Sequence, residues 1–172
     1  MSDLRASMTN TQRLALPMAW LPVFFGLSVI WMESTVTMGG ANTSRWLLGL
    51  CHALWGQTDS PAFETAHFLL RKLGHFCGYG TLSVLFYRAW YTSLSAFWRG
   101  TMRGLRLEAA GLAVSCTFVI ACLDEWHQSF LAGRTSSFHD VLIDTGGAVL
   151  FNVILLGVIG RRRRRLLFDS VG

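Results

Sequence analysis

Residues 119–147 hold two apolar runs that meet at a short polar joint, and this arrangement restricts the fold more than any other feature of the chain. The first run is broken near its end by Asp124, Glu125, His127 and Gln128. The turn Leu131-Ala132-Gly133-Arg134-Thr135 follows. The second run opens with His139 and Asp140 and carries Asp144 one helical turn further in. Two greasy helices with their polar residues gathered at the joint describe a site at one membrane face. Composition extends that reading to the whole chain. Hydrophobic residues make up 52% of the 172 and charged residues 15%, with a mean hydropathy of +0.40; soluble domains carry about a quarter charged residues. One soluble domain of this length could not hide so much apolar side chain.

A membrane-spanning helix needs about 20 mostly apolar residues. Four stretches meet that need: residues 14–32, 72–90, 107–130 and 138–160. The expected fold is therefore all-α, a single membrane domain over 1–172 with four spans. Pro17 and Pro22 fall in the first span, where membrane helices tolerate them. That span is read as uncleaved, because the run is long for a signal core and no small-x-small cleavage site follows it. Residues 45–71 form an amphipathic connector holding two pieces, 46–55 and 63–71, both too short to span. Gly39-Gly40 and Ser60-Pro61 punctuate the wider stretch 33–71, and its tryptophans suit headgroup depth. A basic C-terminal tail occupies 161–172.

Basic residues set the orientation. With the N-terminus inside, eleven of them lie inside: Arg5, Arg13, Arg88, Arg99, Arg103, Arg106 and the five consecutive arginines at 161–165. Four lie outside: Arg45, Arg71, Lys72 and Arg134. This bias predicts cytoplasmic N- and C-termini and an outward-facing turn at Gly133-Arg134. The net charge of +5 is thus a topology signal, and nucleic acid is not expected as a partner. Cys51, Cys77, Cys116 and Cys122 form no CxxC and read as small apolar residues. Asn42-Thr43-Ser44 fits a glycosylation acceptor, a pattern short enough to recur by chance.

Helical spacing groups the candidate chemistry. Residues three or four apart share a helix face, which pairs Asp124 with His127 and Gln128, and Asp140 with Asp144. Lys72, His75 and Tyr79 form a third stripe. Each charge would cost roughly 3 kcal/mol against lipid on insertion scales, so the stripes should face one another inside the bundle. Asp124, Glu125, His127, His75 and Asp140 are candidates for acid–base chemistry. Lys72, Tyr79, Gln128, Arg134 and Asp144 are candidates for ligand contact. Arg134 suits a carboxylate or phosphate and serves either a ligand or Asp140. No metal-ligand spacing such as HExxH occurs, so no metal site is assigned. The lack of an inner-leaflet histidine argues against a multi-haem carrier. His52 and His67 read as interfacial or solvated, and Gly146-Gly147 as a helix-packing site.

The ordered set Lys72-x-x-His75-x-x-x-Tyr79, Asp124-Glu125-x-x-Gln128-x-Phe130-x-x-x-Arg134 and Asp140-x-x-x-Asp144-x-x-Gly147 resembles the VanZ-like family. The resemblance covers residues 72–152, with the first span compatible. It implies a small multi-span protein of the bacterial plasma membrane. It also implies a link to resistance against teicoplanin, a lipidated glycopeptide acting at the outer envelope. Two positions depart from the pattern: Asp144 stands where Asn is frequent, and Phe151 stands where a glycine is expected four residues after Gly147. Asp124, Glu125, Gln128, Arg134 and Asp140 carry over without roles attached.

Together these readings predict an envelope protein binding an anionic lipid-linked or cell-wall-related ligand, such as a lipid-linked precursor or the lipoglycopeptide itself, at an outward polar cluster. The membrane lipids are its surroundings; no cofactor is specified. The alternatives are a hydrolase or transferase acting on a lipid headgroup phosphate, a proton-coupled transporter or flippase, and a purely structural ion-pair clamp.

Overall fold

The computed structural model describes residues 10–56, 61–132, 134 and 136–169. Arg5, Gly133, Thr135 and Ser60, which the sequence reading used, lie outside the described residues. The described chain forms five α-helices: α1 (Asn10–Ser34), α2 (Gly40–Trp55), α3 (Pro61–Ser95), α4 (Met102–Gln128) and α5 (Phe138–Asp169). One 3-10 turn, Val36–Met38, joins α1 to α2. No strand occurs among these residues. Three helical segments are long and apolar enough to cross a membrane: Leu14–Ser34, Met102–Gln128 and Phe138–Arg162. The protein is a polytopic helical membrane protein.

α3 is the least expected element and the central one, packing against α1, α4 and α5. A separate connector helix over 63–71 and a span over 72–90 are in fact one helix. Pro61 opens it, at a position where the missing N–H costs nothing, and no Gly or Pro interrupts residues 62–73. Arg71 and Lys72 do not end it, because both side chains find partners on neighbouring elements. α5, the expected fourth span, also outruns its expected end: its backbone stays helical through residues 161–169 of the basic tail, while the side chains from residue 163 onward lie outside the described set. α4, the expected third span, begins earlier than residue 107, where Thr101 caps it by accepting a hydrogen bond from the Gly104 N–H at 3.1 Å.

The four long helices α1, α3, α4 and α5 each turn a stripe inward. On α1 the stripe is Ala19, Val23, Gly26, Ile30 and Ser34, spaced by three or four residues. Phe24, Phe25 and Trp31 on its other faces are exposed, as expected of side chains that meet lipid. α4 turns Ala109, Ala113, Thr117 and Ala121 inward, a run of small residues that lets backbones approach closely. α5 reaches α3 through Gly147. A side chain there would run into the Phe76 backbone, so the two helices touch at that point. Phe151, the departure from the family pattern, lies over Gly80, where an added Cβ would stand 2.7 Å from its ring. The large residue on α5 is accommodated by the missing one on α3.

Candidate functional site

The polar joint between α4 and α5, the N-terminal half of α3 and Ser44 of α2 line a cavity of about 440 Å³. Seven of the ten residues singled out by spacing line it: Lys72, His75, Glu125, Gln128, Arg134, Asp140 and Asp144. The other three sit elsewhere. Tyr79 and Asp124 lie beneath the cavity, where the Tyr79 hydroxyl and the Gln128 amide donate to Asp124 Oδ2 at 2.9 and 2.8 Å. His127 leans toward α1. Its Nδ1 shares a hydrogen bond with Ser34 Oγ at 3.0 Å and its ring stacks on Trp31, with centroids 4.7 Å apart.

Two arginines brace the segment that follows α1. Arg134 Nη2 donates to the carbonyls of Glu33 and Thr35, the latter at 2.8 Å. Arg71 Nη1 donates to the Met38 carbonyl at 3.0 Å and to Thr43 Oγ1 at 3.1 Å. The carbonyls at a helix C-terminus lack intrahelical partners and carry partial negative charge, so cations belong there. Both guanidiniums also line the cavity. Burial lowers the pKa of Arg134, and the like charge of Arg71 lowers it further. The Arg71 charge thus acts on Arg134, whose direct hydrogen-bonding partners are the two backbone carbonyls.

Arg134 does not pair with Asp140. That carboxylate takes Lys72 instead, in an ion pair with side-chain exposures of 27% and 20%. Glu125, 5% exposed, accepts from the Ser137 N–H at 2.7 Å and so tethers the start of α5 to the end of α4. Asp144 has no such tether. It is 1% exposed and neither carboxylate oxygen has a hydrogen-bond partner. His75 Nδ1 is 3.9 Å from its Oδ2. Below this level the polar column ends at Asn152, whose Nδ2 donates to Ser83 Oγ at 2.7 Å and to the Ala148 carbonyl at 2.9 Å. Among the described residues, no three His, Cys, Asp or Glu side chains are grouped to hold a metal ion.

Sequence spacing missed Glu64, His67 and Arg71, all at the cavity wall. They continue the His75 stripe upward at three- and four-residue steps, a signal that was present once α3 is read as one helix. His67 is buried, with Nε2 3.1 Å from Thr43 Oγ1, rather than solvated.

The VanZ/LLP1 family matches the chain over residues 13–159, which takes in α1 as well as the three helices that carry the motif. No curated protein and no solved structure matches it. The chain belongs to the VanZ/LLP1 family.

Proposed function

We propose that this VanZ/LLP1 protein spans the bacterial plasma membrane four times, through α1, α3, α4 and α5, and binds the polar headgroup of a lipid-linked or cell-wall-related ligand in its cavity. Both termini are cytoplasmic and the cavity opens to the outer leaflet; the excess of basic residues on the opposite side supports this orientation. α2 lies at the interface with Trp46, Leu50 and Leu54 exposed toward lipid. α3 counts as a span despite its charges because its lower half is buried among the other three helices.

One observation carries the binding reading: Arg71 and Arg134 converge on a cavity large enough for a headgroup. A phosphate or carboxylate placed there would relieve their mutual repulsion and accept from their remaining donors. The same ligand class links the cavity to teicoplanin resistance, through retention or shielding of the target that the lipoglycopeptide recognises. A hydrolase or transferase reading is favoured only by His75 beside Asp144. Asp124, on which it leaned, is occupied by Tyr79 and Gln128 and does not line the cavity.

The test is native mass spectrometry of gently extracted protein beside Arg134→Ala, with bound lipids identified. A phosphate-bearing lipid held by the wild type and lost from the folded variant is the expected result. Identical bulk lipid on both would end the headgroup reading. Alkaline phosphatase fused after residue 172 should be inactive if the C-terminus is cytoplasmic.

A further inference from the structure

The carboxylates around the cavity are not equivalent. Asp140 has Lys72, Glu125 has the Ser137 N–H, Asp124 has Tyr79 and Gln128, and Glu64 Oε1 accepts from Ser44 Oγ at 3.3 Å. Asp144 alone among these is without a donor on either oxygen, at 1% exposure and on the cavity wall. Buried polar groups are nearly always paired, and one left unpaired carries the full desolvation cost of the group. His75 Nδ1 at 3.9 Å is too far to satisfy it. Asp144 is on the cavity wall, so a ligand in the cavity is placed to supply the missing donor.

We infer that the ligand carries a primary ammonium that seats on Asp144 while its phosphate seats on Arg71 and Arg134, so that the cavity takes an aminoalkyl phosphate headgroup of the phosphoethanolamine type. This rests on the headgroup reading above and refines the ligand from anionic to zwitterionic. An ionised carboxylate accepts only, and an ammonium offers three donors with a compensating charge. The formal charges of the wall agree: Glu64, Glu125, Asp140 and Asp144 stand against Arg71, Lys72 and Arg134. Carboxylates outnumber fixed cations by one, so a purely anionic ligand would deepen the imbalance, whereas a phosphodiester-linked ethanolamine, with one negative and one positive charge, leaves it unchanged. A neutral hydroxyl would fill the donor gap at Asp144 but leave its charge unopposed.

The full chain in detergent is titrated calorimetrically with phosphoethanolamine and with glycerol 3-phosphate, which shares the phosphate and replaces the ammonium by hydroxyls. Phosphoethanolamine should bind at least about tenfold more tightly, the strength of one hydrogen bond to a charged group. Asp144→Asn, nearly isosteric, should abolish that preference while glycerol 3-phosphate binding is retained. A second arm uses nanodiscs of phosphatidylethanolamine and phosphatidylglycerol in equal parts. Phosphatidylethanolamine retained on the released protein identifies a lipid as the source, whereas selective binding confined to the soluble probe identifies a free aminoalkyl phosphate. Equal affinity for the two probes in the wild type, both lost in Arg134→Ala, would overturn the ammonium seat and leave the headgroup reading intact. No binding of either probe or lipid would overturn both.

Discussion

The two ends of this helical bundle are held together by different physics. At the end where α3 terminates and α4 begins, aromatic rings and small residues do the packing. Trp20 meets Trp90 edge-on at 5.3 Å and Phe86 at 6.3 Å, and its Nε1 donates to Ser93 Oγ at 3.1 Å. Leu105, Ala109 and Ala113 close the helices around them. At the other end stand the Lys72–Asp140 ion pair, two braced arginines and Asp144, a buried carboxylate without a hydrogen-bond donor. Both ends hold the same four helices, so ionisable groups are not needed to hold them. Buried charges are weak contributors to stability unless fully paired. Their concentration at one end, around an open volume, is what separates a site from a clamp.

The largest effect should come from the apolar end. Trp90→Ala is expected to cost about 3 kcal/mol, read as a fall in the melting temperature in detergent. Headgroup binding should be unchanged, because Trp90 lies far down α3 from the cavity wall. If binding fell with the melt, the two ends would not be independent. At the polar end Arg134→Lys should cost about 2 kcal/mol, because an ammonium cannot reproduce the guanidinium fork that reaches both the Glu33 and Thr35 carbonyls. Phosphate binding should fall as well, and limited proteolysis should cut more readily between α1 and α2. A lysine variant that melts like the wild type would remove Arg134 from the bracing role.

The contrast between the ends also marks what could be read without coordinates. The joint was legible because helical spacing fixes faces: Asp140 and Asp144 share one, and α5 starts at Phe138 as expected. Spacing does not fix partners. Asp140 was open to Arg134 by sequence, yet Lys72 on α3 reaches it, and Arg134 turns to a helix end 99 residues earlier in the chain. Nor does spacing separate neighbouring positions on a wide polar face. Gln128 lies directly above Asp124 and turns into the bundle, while His127, one residue away, turns toward α1. Charges inside α3 looked like a boundary because an isolated charge is costly in lipid. Their partners, Met38, Thr43 and Asp140, lie on other elements and are visible only in three dimensions.

Asp144→Asn sharpens the comparison through its sign. Removing a buried carboxylate that has no donor should stabilise the fold by about 1 kcal/mol, while every other change proposed at the polar end destabilises it. A raised melting temperature together with lost selectivity for phosphoethanolamine would show a group kept for its ligand at the expense of stability. A lowered melting temperature would mean that Asp144 is satisfied by the protein after all.

The smallest effect should come from His127, which its helical spacing from Asp124 had marked as an acid–base candidate. Its ring stacks on Trp31 and shares one hydrogen bond with Ser34, so its surroundings are those of a contact between α4 and α1. His127→Phe keeps the stacking and loses the hydrogen bond. Interhelical hydrogen bonds in membranes average roughly 0.6 kcal/mol, and the expected drop is of that size, offset in part by the gain of an apolar ring. Binding of phosphoethanolamine and of glycerol 3-phosphate should match the wild type. His75→Gln should by contrast alter binding, because His75 borders Asp144 at the cavity wall. The two histidines, both candidates by helical spacing but on different sides of the structure, thus give opposite outcomes. Loss of binding in His127→Phe with an unchanged melt would extend the site across α4 to α1 and break the boundary drawn here between packing and binding residues.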